Sequence, residues 1–392
     1  MPDPTQKTSD SEEPPNSRAH DDERLAPCAI LIVHNRGLDE DGSDIGRMKE
    51  CEDEVVDVAR IVSETLRARG HTVSSLALDG DTAPLAARLD EGNVDVVFNL
   101  VESLAGDASR EPEIPTLLAA RGLAFTGNSA RVLSLALAKD RVRDALVTGD
   151  VPVARALVVD DAHPLPSEGE IALTPPLFVK PARVDGSIGI DQGSVVASHA
   201  ALAARVALLR GTFGGAVLVE EYLPGLELNV AVCPDLGGVC APTLLDFSGF
   251  KEGQWPVVTY QAKWVEGHDD YNCRSVALTD QLSDDEKARV LETARAALRA
   301  IGADGYARVD MRLDAARMPR VIDVNPNPAL HPEAGFALAL GTVQVAFADV
   351  VARIVRHALH RRDGSLNEVN RASSRPLADR SRPARGDALS DR

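Results

Sequence analysis

The residues with the clearest chemical potential lie in one stretch, Tyr306–Pro328, which reads YARVDMRLDAARMPRVIDVNPNP. Its alternating pattern predicts a β-hairpin with a turn at Asp314–Pro319, because successive side chains of a strand point to opposite faces. The polar face would carry Arg308, Asp310, Arg312, Asp323 and Asn325. Carboxylate and carboxamide oxygens suit Mg²⁺, which proteins usually hold with one or two carboxylates and the phosphates of a substrate. The stretch therefore predicts a site for metal-bound phosphate.

The second arm of the hairpin is predicted by strict alternation. Ile322 and Val324 would point to one face, and Val321 would share the other face with Asp323. An amphipathic hairpin with a solvated charged face is the alternative, and it is the commoner interpretation of such a motif in isolation. The polar residues upstream favour the metal site.

Two lysines stand in otherwise apolar segments. Lys180 ends an apolar strand, and Lys139 lies in a predicted helix, Ser129–Leu146. A buried ammonium group is costly without an anionic partner, so either lysine could bind phosphate. The alternatives are a solvated helix face for Lys139 and a lysine that reaches water from the strand end for Lys180. The next loop, Ala182–Gly189, contains Ser187 and offers backbone N–H groups to phosphates.

A further candidate segment reads VEEYLPGLELNV. Glu220 lies in a predicted strand, Ala216–Glu221, and Glu227 opens the next strand. Two strands joined by a short hinge can hold an adenine through backbone hydrogen bonds, with a carboxylate on the ribose hydroxyls. An ordinary acidic turn is the alternative. Lys263 is predicted on a later strand, beside Trp264, where it could meet a terminal phosphate.

The elements that must position these residues begin with a β/α alternation typical of a parallel sheet covered by helices. The predicted strands are Cys28–Val33, Thr72–Leu78, Val94–Leu100 and Leu123–Thr126, and the predicted helices are Glu52–Arg69, Pro84–Leu89 and Pro115–Arg121. Later strands are predicted at Val153–Val159, Leu177–Lys180, Glu227–Val232 and Val257–Tyr260, and later helices at His199–Arg210, Asp284–Ile301 and Val343–His360. Ser283 and Glu286 form a capping box for the second of these helices, and Gly302 follows it.

Composition narrows the class of protein. The chain has 392 residues and a formal net charge of −18 at pH 7, which makes nucleic acid and anionic membrane surfaces unfavourable partners. No apolar run approaches the ~18 residues of a membrane span, and no signal peptide is evident. Five cysteines without a C-x-x-C pair argue against a disulfide framework and favour the cytoplasm. Residues 1–25 and 361–392 are polar and are predicted to be disordered.

Taken in order, these motifs make residues 26–360 resemble the D-alanine–D-alanine ligase-like branch of the ATP-grasp superfamily. The resemblance implies an α/β fold with α+β lobes. An N-terminal parallel-sheet domain (26–126) would precede a small lobe (127–215) and a large lobe with the magnesium site (216–360), and the two lobes would grip ATP. It also implies ATP and Mg²⁺ as cofactors, with two ions expected and Mn²⁺ able to substitute. Small-molecule carboxylate and amine substrates are expected, and a homodimer is left open.

The resemblance also assigns roles by position. Nucleotide-binding residues would be Lys139, Lys180, Glu220, Tyr222, Leu223, Glu227 and Lys263. Metal ligands would be Asp310, Asp323 and Asn325. Catalytic residues would be Arg308, which steadies a developing oxyanion, Lys263 and Ser187.

The implied activity is ATP-dependent joining of a carboxylate to an amine through an acyl phosphate, in which placed cations do most of the work. The sequence departs from the ligase pattern mainly at positions expected to touch the amino-acid substrates, such as Leu100–Ser103 and Asn325–Glu333. We therefore expect substrates other than the standard D-alanine pair. A true D-alanine–D-alanine ligase, an ATP-grasp kinase or phosphotransferase, and a catalytically degenerate nucleotide-binding protein are the alternatives.

Overall fold

The computed structural model describes residues 25–36, 46–234, 239–265, 267–268, 273–278 and 280–373. Its first sheet is parallel, in the order β2-β1-β3-β4. The strands are β1 (Ala29–Asn35), β2 (Thr72–Leu78), β3 (Val96–Leu100) and β4 (Ala124–Phe125), and the helices are α1 (Gly46–Ala68), α2 (Ala83–Asp90) and α3 (Glu113–Ala120). Ile30 and Ile32 pack with α1, whereas Leu31 and Val33 pack on the opposite face. Both faces are buried, as the continuous apolar run of β1 requires.

The second sheet has the order β5-β8-β6-β7 and is antiparallel. Its strands are β5 (Ala156–Val159), β6 (Leu177–Pro181), β7 (Val195–Val196) and β8 (Val217–Glu221), and α6 (His199–Phe213) covers it. Because β8 pairs with β5 and β6, it belongs to the second sheet. The predicted boundary between lobes at 215/216, which assigned this strand to the large lobe, is therefore wrong there. The boundaries of the other units stay predictions.

The helix predicted at Ser129–Leu146 is wrong as a single element. It is two helices, α4 (Ala130–Ala136) and α5 (Lys139–Thr148), separated by an extended residue, Ala138. The Lys139 amide donates a hydrogen bond to the Ala182 carbonyl at 2.8 Å. The break therefore serves a contact with a distant segment, and no Gly or Pro marks it locally. It makes Lys139 the first residue of α5.

The third sheet is also antiparallel, in the order β11-β10-β9-β12-β13. Its strands are β9 (Glu227–Cys233), β10 (Val239–Asp246), β11 (Arg274–Ala277), β12 (Ala307–Leu313) and β13 (Pro319–Asn325), and α8 (Asp284–Ile301) packs against it. The predicted capping box of α8 is confirmed: the Ser283 and Glu286 side chains each accept from the other's amide. Gly302 ends the helix in the left-handed conformation.

The strand predicted at Val257–Tyr260, and the placement of Lys263 on a strand, are wrong. Tyr260 opens the short helix α7 (Tyr260–Trp264), which carries Lys263. The Thr259 side chain caps this helix by accepting from the Ala262 amide at 3.0 Å. The apolar residues at Val257–Tyr260 are typical of a strand, although Thr259 among them is a residue type that caps helices.

The predicted hairpin is confirmed as β12 and β13, and Val309, Met311 and Leu313 point into the core. The second arm does not alternate strictly, because the register shifts between Asp310 and Met311, whose partners are Asp323 and Val321. This bulge leaves Ile322 without a partner. Val321 and Val324 therefore both point into the core. The prediction that the Val321 and Asp323 side chains share one face of the hairpin is wrong. A bulge of this kind re-aims side chains locally.

The chain ends in α9 (Gly335–Thr342) and α10 (Phe347–Ser373). Disorder from residue 361 is therefore a wrong prediction as far as Ser373; residues 374–392 and 1–24 lie outside the described residues. Arg361 explains part of the difference, since it donates to the carbonyls of Phe125 at 2.6 Å and Gly127 at 3.0 Å. No single helix of the described ranges is long and apolar enough to span a membrane. The bent pair α9–α10 passes that test only jointly, and Phe336, Leu340, Val351 and Ile354 of this pair lie in the core.

Candidate active site

A cavity of about 290 Å³ lies between the second and third sheets. Eleven of the twelve predicted site residues line it: Lys139, Lys180, Ser187, Glu220, Tyr222, Leu223, Glu227, Lys263, Arg308, Asp310 and Asp323. Asn325 is the exception, and its side-chain oxygen accepts from the Asn327 amide at 2.8 Å. Residues from six separate segments thus converge on one cavity.

The floor of the cavity is held by a buried ion pair. The Lys180 ammonium lies 2.8 Å from a Glu220 carboxylate oxygen, and both side chains are less than a tenth exposed. Lys180 also donates to the Ile322 carbonyl at 3.0 Å, at the residue that the bulge leaves unpaired. Glu220 offsets the cost of burying this cation. Lys180 therefore joins the second sheet to the hairpin.

A second cation faces the loop between β6 and β7. The Lys139 ammonium pairs with Asp185 and donates to the Val184 carbonyl at 3.1 Å. Burial acts to lower the pKa of Lys139, but Asp323 and Asp185 outweigh it and raise that pKa. In the same loop Ser187 has φ 59°, a backbone conformation that non-glycine residues rarely adopt and that is common at functional sites.

Two carboxylates lie side by side on the hairpin, because Asp310 and Asp323 are register partners across β12 and β13. Asp310 accepts from Arg308 Nε at 2.7 Å and Nη2 at 2.8 Å, and from Asn229 Nδ2 at 2.8 Å. Burial acts to raise the pKa of Asp323, but Lys139 and the other cavity cations outweigh it and lower that pKa. Asp323 is therefore ionised at neutral pH.

This donor set fits a hard divalent cation. Carboxylate oxygens from two adjacent strands are the ligands that Mg²⁺ takes, usually together with substrate phosphates. Within the described ranges no group of three or more His, Cys, Asp or Glu side chains could hold a metal alone. A cation held by Asp310 and Asp323 would need further oxygens, which phosphates can supply.

The hinge between β8 and β9 forms the apolar end of the cavity. The Tyr222 amide donates to the Pro176 carbonyl at 2.9 Å, and the Tyr222 ring meets Trp255 edge to face with centroids 5.1 Å apart. Phe178, Leu223, Val257 and Ala262 line the same region. Apolar side chains beside a strand-to-strand hinge suit a flat heterocyclic base.

Several lining residues were missed or given no role: Phe178, Asn229, Arg312, Cys273, Ser275 and Gly335. Asn229 lies two residues beyond Glu227 on β9, so side-chain alternation could have found it. Cys273 and Ser275 gave no signal, because the strand β11 was itself missed. Arg312 was placed on the polar face without a function. Burial raises the pKa of Glu227, whereas Arg312 opposes that rise.

Two lobes around a cavity lined by cations and paired carboxylates define a protein with the ATP-grasp fold, and solved structures share that fold. A D-alanine–D-alanine ligase from Bacillus anthracis complexed with ATP matches with a TM-score of 0.65 at 14% identity, covering 86% of this chain and 99% of that one. A D-Ala:D-Ser ligase from Enterococcus faecalis matches with a TM-score of 0.62 at 16% identity, covering 85% and 99%.

The family follows from the sequence. Residues 151–356 match the family model described as D-ala D-ala ligase C-terminus, which spans more than half of the chain. The chain belongs to this family. A D-alanine–D-alanine ligase from Actinobacillus pleuropneumoniae is 29% identical over 295 residues, covering 75% of this chain and 89% of the relative. The suggested resemblance to the ligase-like branch of the ATP-grasp superfamily is thereby confirmed.

Proposed function

We propose that this protein is an ATP-dependent ligase that joins a carboxylate to an amine through an acyl phosphate. The observation that carries the proposal is the convergence of Lys139, Lys180, Lys263 and Arg308 on the cavity that holds Asp310 and Asp323. Cations that face paired carboxylates are what the transfer of a phosphoryl group requires, because charge placement supplies most of the catalysis. Membership of the ligase family supports the same reaction.

The chemistry has two steps. A substrate carboxylate oxygen attacks the γ-phosphorus of ATP, and the bond to ADP breaks. The amine then attacks the acyl carbon, the carbon–oxygen bond to phosphate breaks, and the amine nitrogen releases a proton. When bound, Mg²⁺ would neutralise charge on the phosphate oxygens.

The chain's own residues have separable roles in this proposal. Lys139 and Lys180 bind the nucleotide phosphates, and Lys263, on α7, contacts the terminal phosphate. Ser187 positions the loop that covers them. Arg308 stabilises the oxyanion that develops on the acyl carbon. Asp310 and Asp323 would hold the metal with Asn325, which must turn from Asn327 to do so.

The nucleotide would be ATP. Glu220, Tyr222 and Leu223 line the cavity where β8 runs into the hinge, and backbone groups at this hinge would read the edge of one base. Glu227 would bind the ribose hydroxyls. We expect a clear preference for ATP over GTP, and equal catalytic efficiency with both nucleotides would contradict the hinge assignment.

The substrates would differ from a pair of D-alanines, and the segment after Asn325 supports this part of the proposal. Pro326 and Pro328 provide no N–H donors. His331 is turned towards α1: its Nε2 lies 3.5 Å from Asp57, and its Nδ1 accepts from the Glu333 amide at 3.2 Å. A carboxylate on the acceptor would find few donors here, so an uncharged or amine-rich acceptor is better matched.

The test is ATP turnover with panels of carboxylates and amines, with product mass measured. Release of phosphate together with a condensed product supports the ligase. A phosphorylated substrate without phosphate release would indicate a kinase instead. D-Alanine as sole substrate is one arm of the panel. Efficient D-alanyl-D-alanine formation, with no better acceptor in the panel, would overturn the proposed substrate difference and leave a true D-alanine–D-alanine ligase.

A further inference from the structure

Arg312 contacts the hinge, Glu227 and Pro256 at the apolar end of the cavity. Its side chain is buried and lies beside Glu227, its register partner on β9. Nη1 lies 3.5 Å from a Glu227 carboxylate oxygen and donates to the Pro256 carbonyl at 2.9 Å. Nη2 donates to the Gly225 carbonyl at 3.2 Å and to the Tyr222 hydroxyl at 3.4 Å. The guanidinium carbon lies 5.0 Å from the centre of the Tyr222 ring.

These contacts join the hinge Tyr222–Gly225, the segment around Pro256 and the start of strand β9 at Glu227. The hinge runs directly into β9 and Tyr222 already meets Trp255 edge to face, so Arg312 adds to contacts that these segments make with one another. A planar guanidinium can reach all of them at once, because its donors form a rigid fork and its face stacks on an aromatic ring. A lysine ammonium on the same strand could satisfy only part of this set.

Arg312 also offsets the cost of burying the Glu227 carboxylate. A fully buried carboxylate is costly unless a cation neutralises it, and Arg312 is the cation paired with Glu227 in the described structure. The ion pair fixes the carboxylate at the cavity wall, where both residues line the space beside the hinge. A carboxylate fixed in this way is a strong acceptor for hydroxyl groups.

We propose that Arg312 is a positioning residue for the nucleotide, which holds the hinge and Glu227 in place and thereby gives the site its preference for ribose over deoxyribose. The inference rests on the proposed function, because it takes the nucleotide base to lie at the hinge and the ribose at Glu227. It adds a residue to which neither the sequence motifs nor the family comparison gives a role.

The experiment measures dissociation constants of the full-length protein by calorimetry, with ATP, 2′-deoxy-ATP and 3′-deoxy-ATP in the presence of Mg²⁺. A hydroxyl bound to a charged acceptor contributes about tenfold or more to affinity, so the unmodified protein should prefer ATP by about that factor over at least one analogue. Arg312→Met should weaken ATP binding about tenfold and change the binding of that analogue much less. Arg312→Lys should restore part of the preference.

Arg320→Met is the matched control. Arg320 is the register partner of Arg312 in the same hairpin, but its guanidinium binds Asp314 in the turn, at 3.0 and 2.9 Å. This variant should bind all three nucleotides as the unmodified protein does. Glu227→Gln should lose the same preference as Arg312→Met, and the double variant should lose no more than Glu227→Gln alone, because both substitutions act on one interaction.

The outcomes separate the inference from the proposed function. If the unmodified protein binds no ATP, the proposed function fails and the inference fails with it. If it binds ATP and folded Arg312→Met keeps the ribose preference, or weakens all nucleotides equally, only the inference is overturned. Thermal unfolding establishes whether each variant folds. Should Arg312→Met not fold, Arg312→Lys decides, and a preference equal to that of the unmodified protein would overturn the inference.

Discussion

Glu111 makes the stability of the protein depend on pH in an unusual direction. It lies two residues before the start of α3, and its carboxylate accepts from Asn327 Nδ2 at 2.7 Å. Burial raises the pKa of Glu111 to about 8; the Asn327 hydrogen bond opposes the rise, and the nearby Glu102 and Asp185 add to it. The ordinary glutamate pKa is 4.5. The folded protein therefore keeps a proton on Glu111 that the unfolded chain releases.

The sign follows from this difference. Because the folded-state pKa is raised, the contribution of Glu111 to stability is fully present below pH 4.5 and is lost as pH rises through about 8. One proton held only by the folded protein changes the free energy of unfolding by about 1.4 kcal/mol per pH unit. Across this window the ceiling is about 5 kcal/mol. Glu111 is only half-buried, so water screens the effect and we expect about 2 kcal/mol.

The assay compares urea unfolding of the unmodified protein and Glu111→Gln from pH 5 to pH 9. The amide does not ionise, so the variant should be similar in stability at pH 5 and more stable by about 2 kcal/mol at pH 9. Glu113→Gln, in α3, is the control. Arg110 lowers the pKa of the exposed Glu113, so this substitution should not stabilise the protein at high pH. Parallel pH profiles for Glu111→Gln and the unmodified protein would refute the reasoning.

Three further predictions follow from the cavity and its surroundings. Asp310→Asn or Asp323→Asn should lower ATP turnover at least about 100-fold with the fold retained; near-normal turnover at physiological Mg²⁺ would remove that residue from the metal site. Gly225→Ala should destabilise the protein by about 2 kcal/mol or more, since the added carbon would lie 2.4 Å from the Leu313 carbonyl oxygen; its control, Gly211→Ala in α6, meets open space and should stabilise by up to ~1 kcal/mol in thermal unfolding. Burial raises the pKa of the Cys273 thiol to about 12, so iodoacetamide should alkylate it slowly at pH 8 by mass spectrometry, and rapid labelling would contradict that pKa.

The parts of the site that sequence could predict are those with local signals. Alternation of apolar and polar residues located the first arm of the hairpin, because the two-residue period of a strand is independent of its neighbours. The same period, applied to both arms, is enough to place Asp310 and Asp323 on one face of the hairpin. The capping box of α8 was equally local.

The remaining features depend on partners distant in the chain. The bulge at Ile322 puts that carbonyl within reach of Lys180, a contact across 142 residues, and alternation alone cannot show it. The break before Lys139 has its acceptor at Ala182. The helical part of the C-terminal segment is polar, but Arg361 donates to carbonyl acceptors in β4 and just beyond it. Composition predicted disorder because it takes no account of those acceptors.

The central claim is that this cavity activates a carboxylate as an acyl phosphate. The most direct measurement is the isotope content of the phosphate released when carboxylates labelled with ¹⁸O react with ATP and the panel of amines. Attack by a carboxylate oxygen on the γ-phosphorus, followed by displacement of phosphate from the acyl carbon by the amine, predicts one ¹⁸O atom in each phosphate and none in ADP. Asp323→Asn should abolish the transfer. Turnover that releases only unlabelled phosphate, or that leaves the phosphoryl group on a substrate, would contradict the account.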